Sequence, residues 1–393
     1  MHEKKVMEGS VAVAHAIKSA KAQVIAAYPI SPQTHIIEEI AKMIADNTCK
    51  STFIRVDSEF SAASVVYGAS ATGVRSYTAS SSQGLLLMSE VLYAMAGTRL
   101  PVVITGVNRT VSAPITIQPD LQDSMALRDS GIIQLYVESI QEAYATHIQA
   151  FKLAEDHDVL LPVMVCMDGW ILTHLYEPVK LEEQELIDKF LPSYKPKYML
   201  DSKAPLTYGS YADDEVSEFR FMMHFAQEKA KEKINSIARE YENVFGDYFG
   251  GIIDHYFCDD AEIVIVAMGS VIGTLKEAIH EIRKSGTKIG LLKVRSYRPF
   301  PGEEILDVVK DAKIVAVIDK SLSVGQGGQL ASDLKAAFYN KKAPYVLSCI
   351  AGMGGREIAM KGINKIIEKC KLALENDSVP FTEYIDLKEE YLK

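Results

Sequence analysis

An α/β architecture built on doubly wound parallel sheets is what the patterning of this chain calls for, and three observations carry that expectation. Short β-branched runs alternate with helix-like stretches along most of the sequence, the signature of parallel βαβ layers. Segments such as VVITG and LLPVMVCM are almost wholly apolar, which suits strands covered on both faces. The chain has 393 residues, enough for about two domains with substantial cores.

In the first half, strands are expected at 23–28, 53–56, 74–79, 102–106 and 160–167, with helices near 33–45, 59–72, 83–96 and 141–155. From about Glu177 the composition turns charged and proline-bearing, in EPVKLEEQELIDKFLPSYKPKY. A long helix then runs from about Asp214 to Phe245, with Phe219, Met223, Ala226, Ala230, Ile234, Ile237, Tyr241 and Val244 three or four residues apart, the spacing of one buried face. We expect that face to pack on its own domain. A second α/β unit follows in AEIVIVAMGS, KIGLLKV, a turn at YRPFP, AKIVAVID and a final strand at 345–350. The expected division is therefore a first domain over 1–250, with its charged linker and long helix, and a second over 251–393.

Apolar residues make up 48% and charged residues 24%, as in ordinary globular proteins, and 42 basic against 52 acidic side chains give a net charge of −10. General nucleic-acid binding is excluded as an expectation, because it needs clustered cations. No apolar run approaches the roughly 20 residues of a membrane span. The opening MHEKKVMEGS lacks the apolar core of a secretory signal, so a cytoplasmic location is expected. The five cysteines are scattered without a CxxC, fitting reduced structural thiols rather than a closely spaced cluster-binding set.

Several motifs sit where strands hand over to helices, the position at which α/β sheets bind ligands. Glu59, in VDSEFSAASVVYGASATG, follows the strand at 53–56 and begins a helix rich in small residues. AAYPISPQTH presents Ser31 between Pro29 and Pro32, prolines that stiffen the turn. Ser31 or Thr34 could cap the next helix, or the Ser31 hydroxyl could meet a ligand carboxylate. Ser82 in YTASSSQGLLLM is placed to cap a helix whose first amides could receive an anion. Arg109 in GVNRTVSAPI follows a strand, where its guanidinium could clasp a carboxylate in bidentate fashion. GQGGQ and GMGGRE match neither the P-loop nor the dinucleotide fingerprint. The first is expected to form a tight turn approaching a neighbouring chain or cofactor. His15, His35, His147 and His174 are isolated in sequence and expected to be structural.

Taken in order, YPISPQT, VDSEFSAASVVYGASATGVRSYTASSSQGLLLMSEVLY, NRTVSAPI, LLPVMVCMDGWILTH, YRPFP and AGMGGRE resemble the alpha subunits of 2-oxoacid:ferredoxin oxidoreductases, most closely the pyruvate:ferredoxin (pyruvate synthase) type. The resemblance runs over about Lys5 to Ile367. It implies a thiamine-diphosphate-binding fold, with a pyrimidine-type domain followed by a transketolase C-terminal-like α/β domain. Glu59 then matches the glutamate that hydrogen-bonds the aminopyrimidine and activates the cofactor. Pro29, Ile30 and Ser82 fall in the surrounding cofactor wall, and Ser31 and Arg109 match substrate-carboxylate contacts. The chain contains no GDG motif. The resemblance therefore implies that Mg²⁺, the [4Fe-4S] clusters and the other half of the cofactor site sit on beta, gamma and delta partner subunits. It further implies coenzyme A as co-substrate, ferredoxin as electron acceptor, and a dimer of heterotetramers. Phe60 stands where many relatives carry His, and QPDLQD replaces a common WNDHQD-like stretch. NRTVSAPI favours pyruvate; a 2-oxoglutarate or branched-chain 2-oxoacid enzyme, or a non-catalytic scaffold subunit, are the alternatives.

Overall fold

Two parallel-rich sheets, each sandwiched by helices, organise the chain in a computed structural model that describes residues 4–209 and 211–392. In chain order the strands are β1 (Lys5–Glu8), β2 (Val24–Ala27), β3 (Thr52–Arg55), β4 (Ser76–Ser80), β5 (Val102–Asn108), β6 (Ile133–Tyr136), β7 (Val163–Asp168) and β8 (Tyr176–Val179). They continue as β9 (Ile253–Tyr256), β10 (Ile263–Ala267), β11 (Ile289–Val294), β12 (Ser296–Arg298), β13 (Ile314–Asp319), β14 (Tyr345–Ile350) and β15 (Glu383–Tyr384).

The first sheet has the order β12-β6-β7-β5-β4-β2-β3 and is parallel except for β12. The second has the order β15-β14-β13-β10-β11-β9, with β9 antiparallel to β11. Every residue of β5, β7, β10 and β13 is buried, as expected for strands covered on both faces. A separate antiparallel ribbon joins β1 to β8.

The YRPFP region was expected as a turn only. Its first residues instead form β12, which leaves the second sheet's run of sequence and pairs with β6 at the edge of the first sheet. The expected helix over 83–96 is two helices, Gln83–Leu87 and Ser89–Gly97, meeting at Met88. The long helix spans Val216–Phe245 and packs against the Ile140–Glu155 helix of the first sheet. Met223, Ala226, Ala230, Ile234, Ile237 and Tyr241 form its buried seam, while Phe219 and Val244 are exposed.

Charged groups also join the two halves. Glu142 accepts from Lys293 Nζ at 2.8 Å and Arg295 Nε at 3.1 Å, all three side chains being buried. At the strand ends, Lys320 after β13 pairs with Asp168 of β7, whose second oxygen accepts from the Ser270 amide at 2.8 Å. Burial alone would raise Asp168, but the Lys320 ammonium and the Ser270 donors overcome it and hold the carboxyl below its ordinary value.

In GQGGQ the close approach is internal. The Asp319 carboxylate accepts from the Leu330 and Ala331 amides at 2.8 and 3.1 Å at the start of the next helix. A Cβ on Gly328 would lie 2.0 Å from Asp319 Oδ2, so only glycine fits there.

Candidate functional site

The carboxyl ends of β2, β3, β4 and β5 lie side by side in the first sheet, and the expected residues stand on the four segments that follow them. Ser31 follows β2, Glu59 follows β3, Ser82 follows β4 and Arg109 follows β5. One edge of a parallel sheet thus gathers residues spread over about eighty positions of sequence, in the crevice such folds use for ligands.

Glu59 opens the Glu59–Ala71 helix, whose N-cap Ser58 accepts from the Ser61 amide at 3.1 Å. The cap leaves the Glu59 carboxyl with no helix-end duty. It is 7% exposed and has no hydrogen-bond partner among the described residues. A Cβ on Gly84 would come within 2.5 Å of Glu59 Oε1 and 2.4 Å of Ser80 Oγ, so a glycine is required to leave the carboxyl its space. The Ser80 hydroxyl beside it is buried and also unpartnered, as is that of Ser81, the next residue in the chain. Buried polar atoms are normally satisfied, and a cluster of orphans marks a place where a polar ligand completes the bonding.

Ser31 and Arg109, expected to act together, do meet. The Arg109 Nη1 donates to the Ser31 carbonyl at 2.9 Å and its Nε to the Thr116 carbonyl at 2.8 Å. The guanidinium is buried, and no carboxylate pairs with it among the described residues. Pro29 and Ser31 are exposed on the same loop, with Ile30 half-buried and hydrogen-bonded to the buried Gln33. Neither Ser31 nor Thr34 caps the following helix, whose N-cap is Gln33.

Ser82 does not act as the expected cap. Its hydroxyl donates to the Thr110 carbonyl at 2.7 Å and reaches Gln83 Oε1 at 2.5 Å, and no side-chain cap bond is formed. The reason is backbone geometry: Ser82 sits at φ 51°, ψ −127°, a strained conformation for a residue with a Cβ. Its own amide donates to Asp123, and of the helix's first amides, expected to receive an anion, those of Gly84 and Leu85 already donate to the Ser81 and Ser82 carbonyls.

Asp123 is the residue that motif reasoning missed. Its Oδ2 accepts from the Ser82 amide at 2.8 Å and the Arg109 amide at 3.0 Å. Its Oδ1 accepts from Asn108 Nδ2 and the Ser124 amide, both at 2.8 Å. One carboxylate therefore ties the segments after β4 and β5 together. Burial pushes it up to about 7 despite the four donors that pull it down. The available signal was the QPDLQD stretch itself, conspicuous as two acids in an otherwise neutral, proline-bearing loop.

The same loop reaches the second sheet. Asp120 accepts from Thr110 Oγ1 at 2.8 Å and from the Gly354 amide at 3.1 Å, and burial raises it above the ordinary carboxylate range. The Leu121 amide donates to the Lys320 carbonyl at 2.9 Å, and the Gly355 amide to the Pro119 carbonyl at 2.7 Å.

The histidines are not all isolated in space. Glu8, His35 and His174 bring their ligating atoms within 4.8 Å of one another. The two imidazole centroids are 4.5 Å apart with the rings tilted by 32°, and His35 Nδ1 lies 2.7 Å from Glu8 Oε1. His147 is buried between Thr105 and the Ala143 carbonyl, and burial lowers it to about 4. All five cysteines are free and buried, and burial pushes the Cys258 thiol up to about 11 and that of Cys370 to about 12, which makes them inert.

A parallel sheet whose strand ends carry, among the described residues, an unpartnered buried glutamate and an arginine without a counter-charge has the form of a ligand-binding α/β domain. Comparison with known proteins makes the class specific. Residues 15–243 match the family described as pyruvate flavodoxin/ferredoxin oxidoreductase, thiamine diphosphate-binding, and residues 261–363 match core domain II of pyruvate:ferredoxin oxidoreductase. Pyruvate synthase subunit PorA of Methanosarcina barkeri is 49% identical, over 98% of this chain and 97% of the relative. Ketoisovalerate oxidoreductase subunit VorA of Pyrococcus abyssi is 44% identical, over 95% of each chain. In fold, the chain is similar to the 2-oxoglutarate:ferredoxin oxidoreductase from Magnetococcus marinus, solved with 2-oxoglutarate, coenzyme A and succinyl-CoA bound, with a TM-score of 0.70 and 20% identity. That match covers 95% of this chain and spans 66% of the neighbour's length. The chain belongs to the pyruvate:ferredoxin oxidoreductase family.

Proposed function

We propose that this chain is the alpha subunit of a cytoplasmic pyruvate:ferredoxin oxidoreductase. The assembled enzyme converts pyruvate, coenzyme A and two oxidised ferredoxins to acetyl-CoA, carbon dioxide, two reduced ferredoxins and a proton, reversibly. The relatives named pyruvate synthase subunit PorA support pyruvate over the branched-chain 2-oxoacid that the VorA relatives name. The 1–250 segment would hold the cofactor and 251–393 would buttress it.

The residues present fit thiamine diphosphate. The orphaned Glu59 carboxyl, the buried Ser80 and Ser81 hydroxyls and the Gly84 gap make a polar cradle for the aminopyrimidine. When bound, the cofactor supplies the electron sink that decarboxylation needs. Glu59 holds and exchanges a proton at the ring nitrogen. Pro29, Ile30 and Ser82 shape the wall. The Arg109 guanidinium, fixed by two carbonyls but lacking a counter-charge, binds the substrate carboxylate, and Ser31 orients it. Mg²⁺ and the [4Fe-4S] clusters would be carried by beta, gamma and delta partners, in a dimer of heterotetramers.

One observation carries the proposal: a buried carboxyl at the sheet edge with no hydrogen-bond partner among the described residues. The test is Glu59→Gln in the assembled complex. Loss of a positioned acid–base group lowers turnover by about 10²–10⁴-fold, while subunit assembly and melting temperature stay as in the parent. Parental turnover in the variant would overturn the assignment and leave the scaffold reading.

A further inference from the structure

A second concave site lies away from the sheet edge, and none of the residues assigned above lines it. It is a cavity of about 710 Å³ between the C-terminal end of the Ser89–Gly97 helix, the 194–209 segment and the start of the Val216–Phe245 helix. That volume lies within the range of small-molecule pockets.

Its chemistry is distinctive for a chain with a net charge of −10. Arg99, Lys197 and Arg220 line it, and among the described residues no Asp or Glu does. Concave walls of one charge sign focus the potential on what enters. Arg99 is half-buried, anchored by its Nε to the Leu160 carbonyl at 3.2 Å and by its Nη2 to the Val159 carbonyl at 2.6 Å.

Arg75, Arg128, Arg283, Arg295 and Arg298 are likewise buried or half-buried, and each pairs with a carboxylate. Among the described residues only Arg99 and Arg109 in that group have no such partner. Burial lowers Arg99 below the usual guanidinium value, the mark of a desolvated charge that an anion would compensate.

The walls supply the other half of the recognition. Tyr67, Tyr194 and Tyr208 line the cavity, each half-buried, and none of their hydroxyls has a hydrogen-bond partner among the described residues. Burial pushes Tyr194 up to about 12, so its phenol remains a neutral donor. Aromatic faces that stack a flat ring, beside guanidinium and ammonium groups that hold phosphate, are the elements of nucleotide binding.

We infer that this cavity binds a nucleoside phosphate, with the base among Tyr67, Tyr194 and Tyr208 and the phosphates on Arg99, Arg220 and Lys197. The inference does not rest on the 2-oxoacid reading of the sheet-edge site.

The probe is ADP, titrated calorimetrically into the assembled complex at low ionic strength. Saturable binding is expected in the micromolar range. It should weaken by about tenfold or more in the Lys197→Glu/Arg220→Glu double variant, whose exposed side chains can be reversed without breaking a core contact. Inorganic phosphate, lacking a ring, should bind at least about tenfold more weakly than ADP. Pyruvate turnover in the variant should match the parent, which separates this site from the first. Arg99→Gln, checked by melting temperature because Arg99 also holds the Val159, Leu160 and Met222 carbonyls, should abolish the interaction. The inference is overturned by absence of saturable ADP binding, by ADP affinity unchanged in the double variant, or by displacement of ADP by thiamine diphosphate. Capture of an acidic peptide in place of ADP would likewise overturn it, by making the cavity a subunit-docking groove.

Discussion

Replacing Asp123 by Asn keeps the shape of the carboxylate and turns one acceptor into a donor, and the structure says which oxygen is the cheaper to lose. At Oδ2 the new NH₂ would face the Ser82 and Arg109 amides and orphan both. At about 1–3 kcal/mol for each unsatisfied buried donor, this arrangement costs roughly 2–6 kcal/mol. At Oδ1 the neighbours are the Ser124 amide and Asn108 Nδ2. Asn108 can flip, because its Oδ1 is buried and has no partner; it would then accept from the new amide. The flipped Asn108 NH₂ inherits the place where Oδ1 already lacked a partner. Ser124 Oγ, which accepts from Asn108 Nδ2 at 2.7 Å, would donate to the oxygen instead, so the Ser124 amide is the one group newly orphaned, at about 1–3 kcal/mol. Asp123→Asn is therefore expected to lose about 1–3 kcal/mol of stability while retaining the bonds to Ser82 and Arg109. Its KM for pyruvate should stay within a few-fold of the parent. Asp123→Ala removes all four bonds, and its KM should rise by about tenfold or more, since a misplaced binding group is costly. The assays are thermal melting and steady-state kinetics of the assembled complex. A double-mutant cycle with Asn108→Ala isolates the flip, because Asp123→Asn should cost more when no carbonyl is there to accept. If Asp123→Asn were as damaging to KM as Asp123→Ala, or cost the same in both backgrounds, the reasoning would fail.

Four further outcomes follow from the geometry. Gly84→Ala should lower turnover by about tenfold or more without preventing assembly, because the added methyl displaces the Glu59 carboxyl from 2.5 Å; parental turnover would show that Glu59 has room to spare. Arg109→Ala should raise the KM for pyruvate by about 10²-fold, a charge-assisted contact of about 3 kcal/mol, with cofactor affinity unchanged; parallel losses of both would move Arg109 to the cofactor. The raised value of Asp123, about 7 against 3.8, means that the folded chain holds a proton over that interval which the unfolded chain has released. The contribution is fully present below pH 4, is lost as pH rises through about 7, and should flatten in Asp123→Asn when melting is followed against pH. Asp168 has the opposite sign: its value lies below 3.8, so its stabilisation is present above that and is lost on stronger acidification. Lys320→Met should strand the buried carboxylate at a cost of about 3–5 kcal/mol, read as a lower melting temperature at neutral pH.

The parts of the fold legible in the sequence are those whose signal is local. β5 and β7 are apolar runs because both faces are covered, and the Ile140–Glu155 helix follows a Ser139 cap. β6 and β12 were invisible for the opposite reason. IQLY is short and carries Gln134, whose side chain is buried only because it donates to the Ser124 carbonyl at 2.7 Å. SYR becomes a strand only because β6 offers it an edge. The long helix was legible in its periodicity, but Phe219 breaks the pattern by facing the tyrosine-lined cavity. Glu59, Ser31 and Arg109 were legible because each stands at a strand end. Asp123 was not, since its role depends on donors from two other stretches of chain, at Ser82 and at Asn108 and Arg109, which only the folded backbone assembles.

That assembly gives residues beside the second sheet a part in the first site. Arg109 and Ser82 are placed by Asp123, and Asp123 lies on a loop that also bonds the second half: Asp120 to the Gly354 amide, Pro119 to the Gly355 amide, and Leu121 to the Lys320 carbonyl. Lys320 is itself fixed by Asp168, at the end of the strand next to β5. A chain of hydrogen bonds therefore runs from GMGGRE through 118–123 to Arg109, the proposed substrate contact. Asp120→Ala, which severs its first link without touching Arg109 or Asp123, should leave cofactor affinity at the parental value and raise the KM for pyruvate by several-fold. If KM did not move, the loop would be held by its own turn, and the C-terminal domain would contribute stability alone.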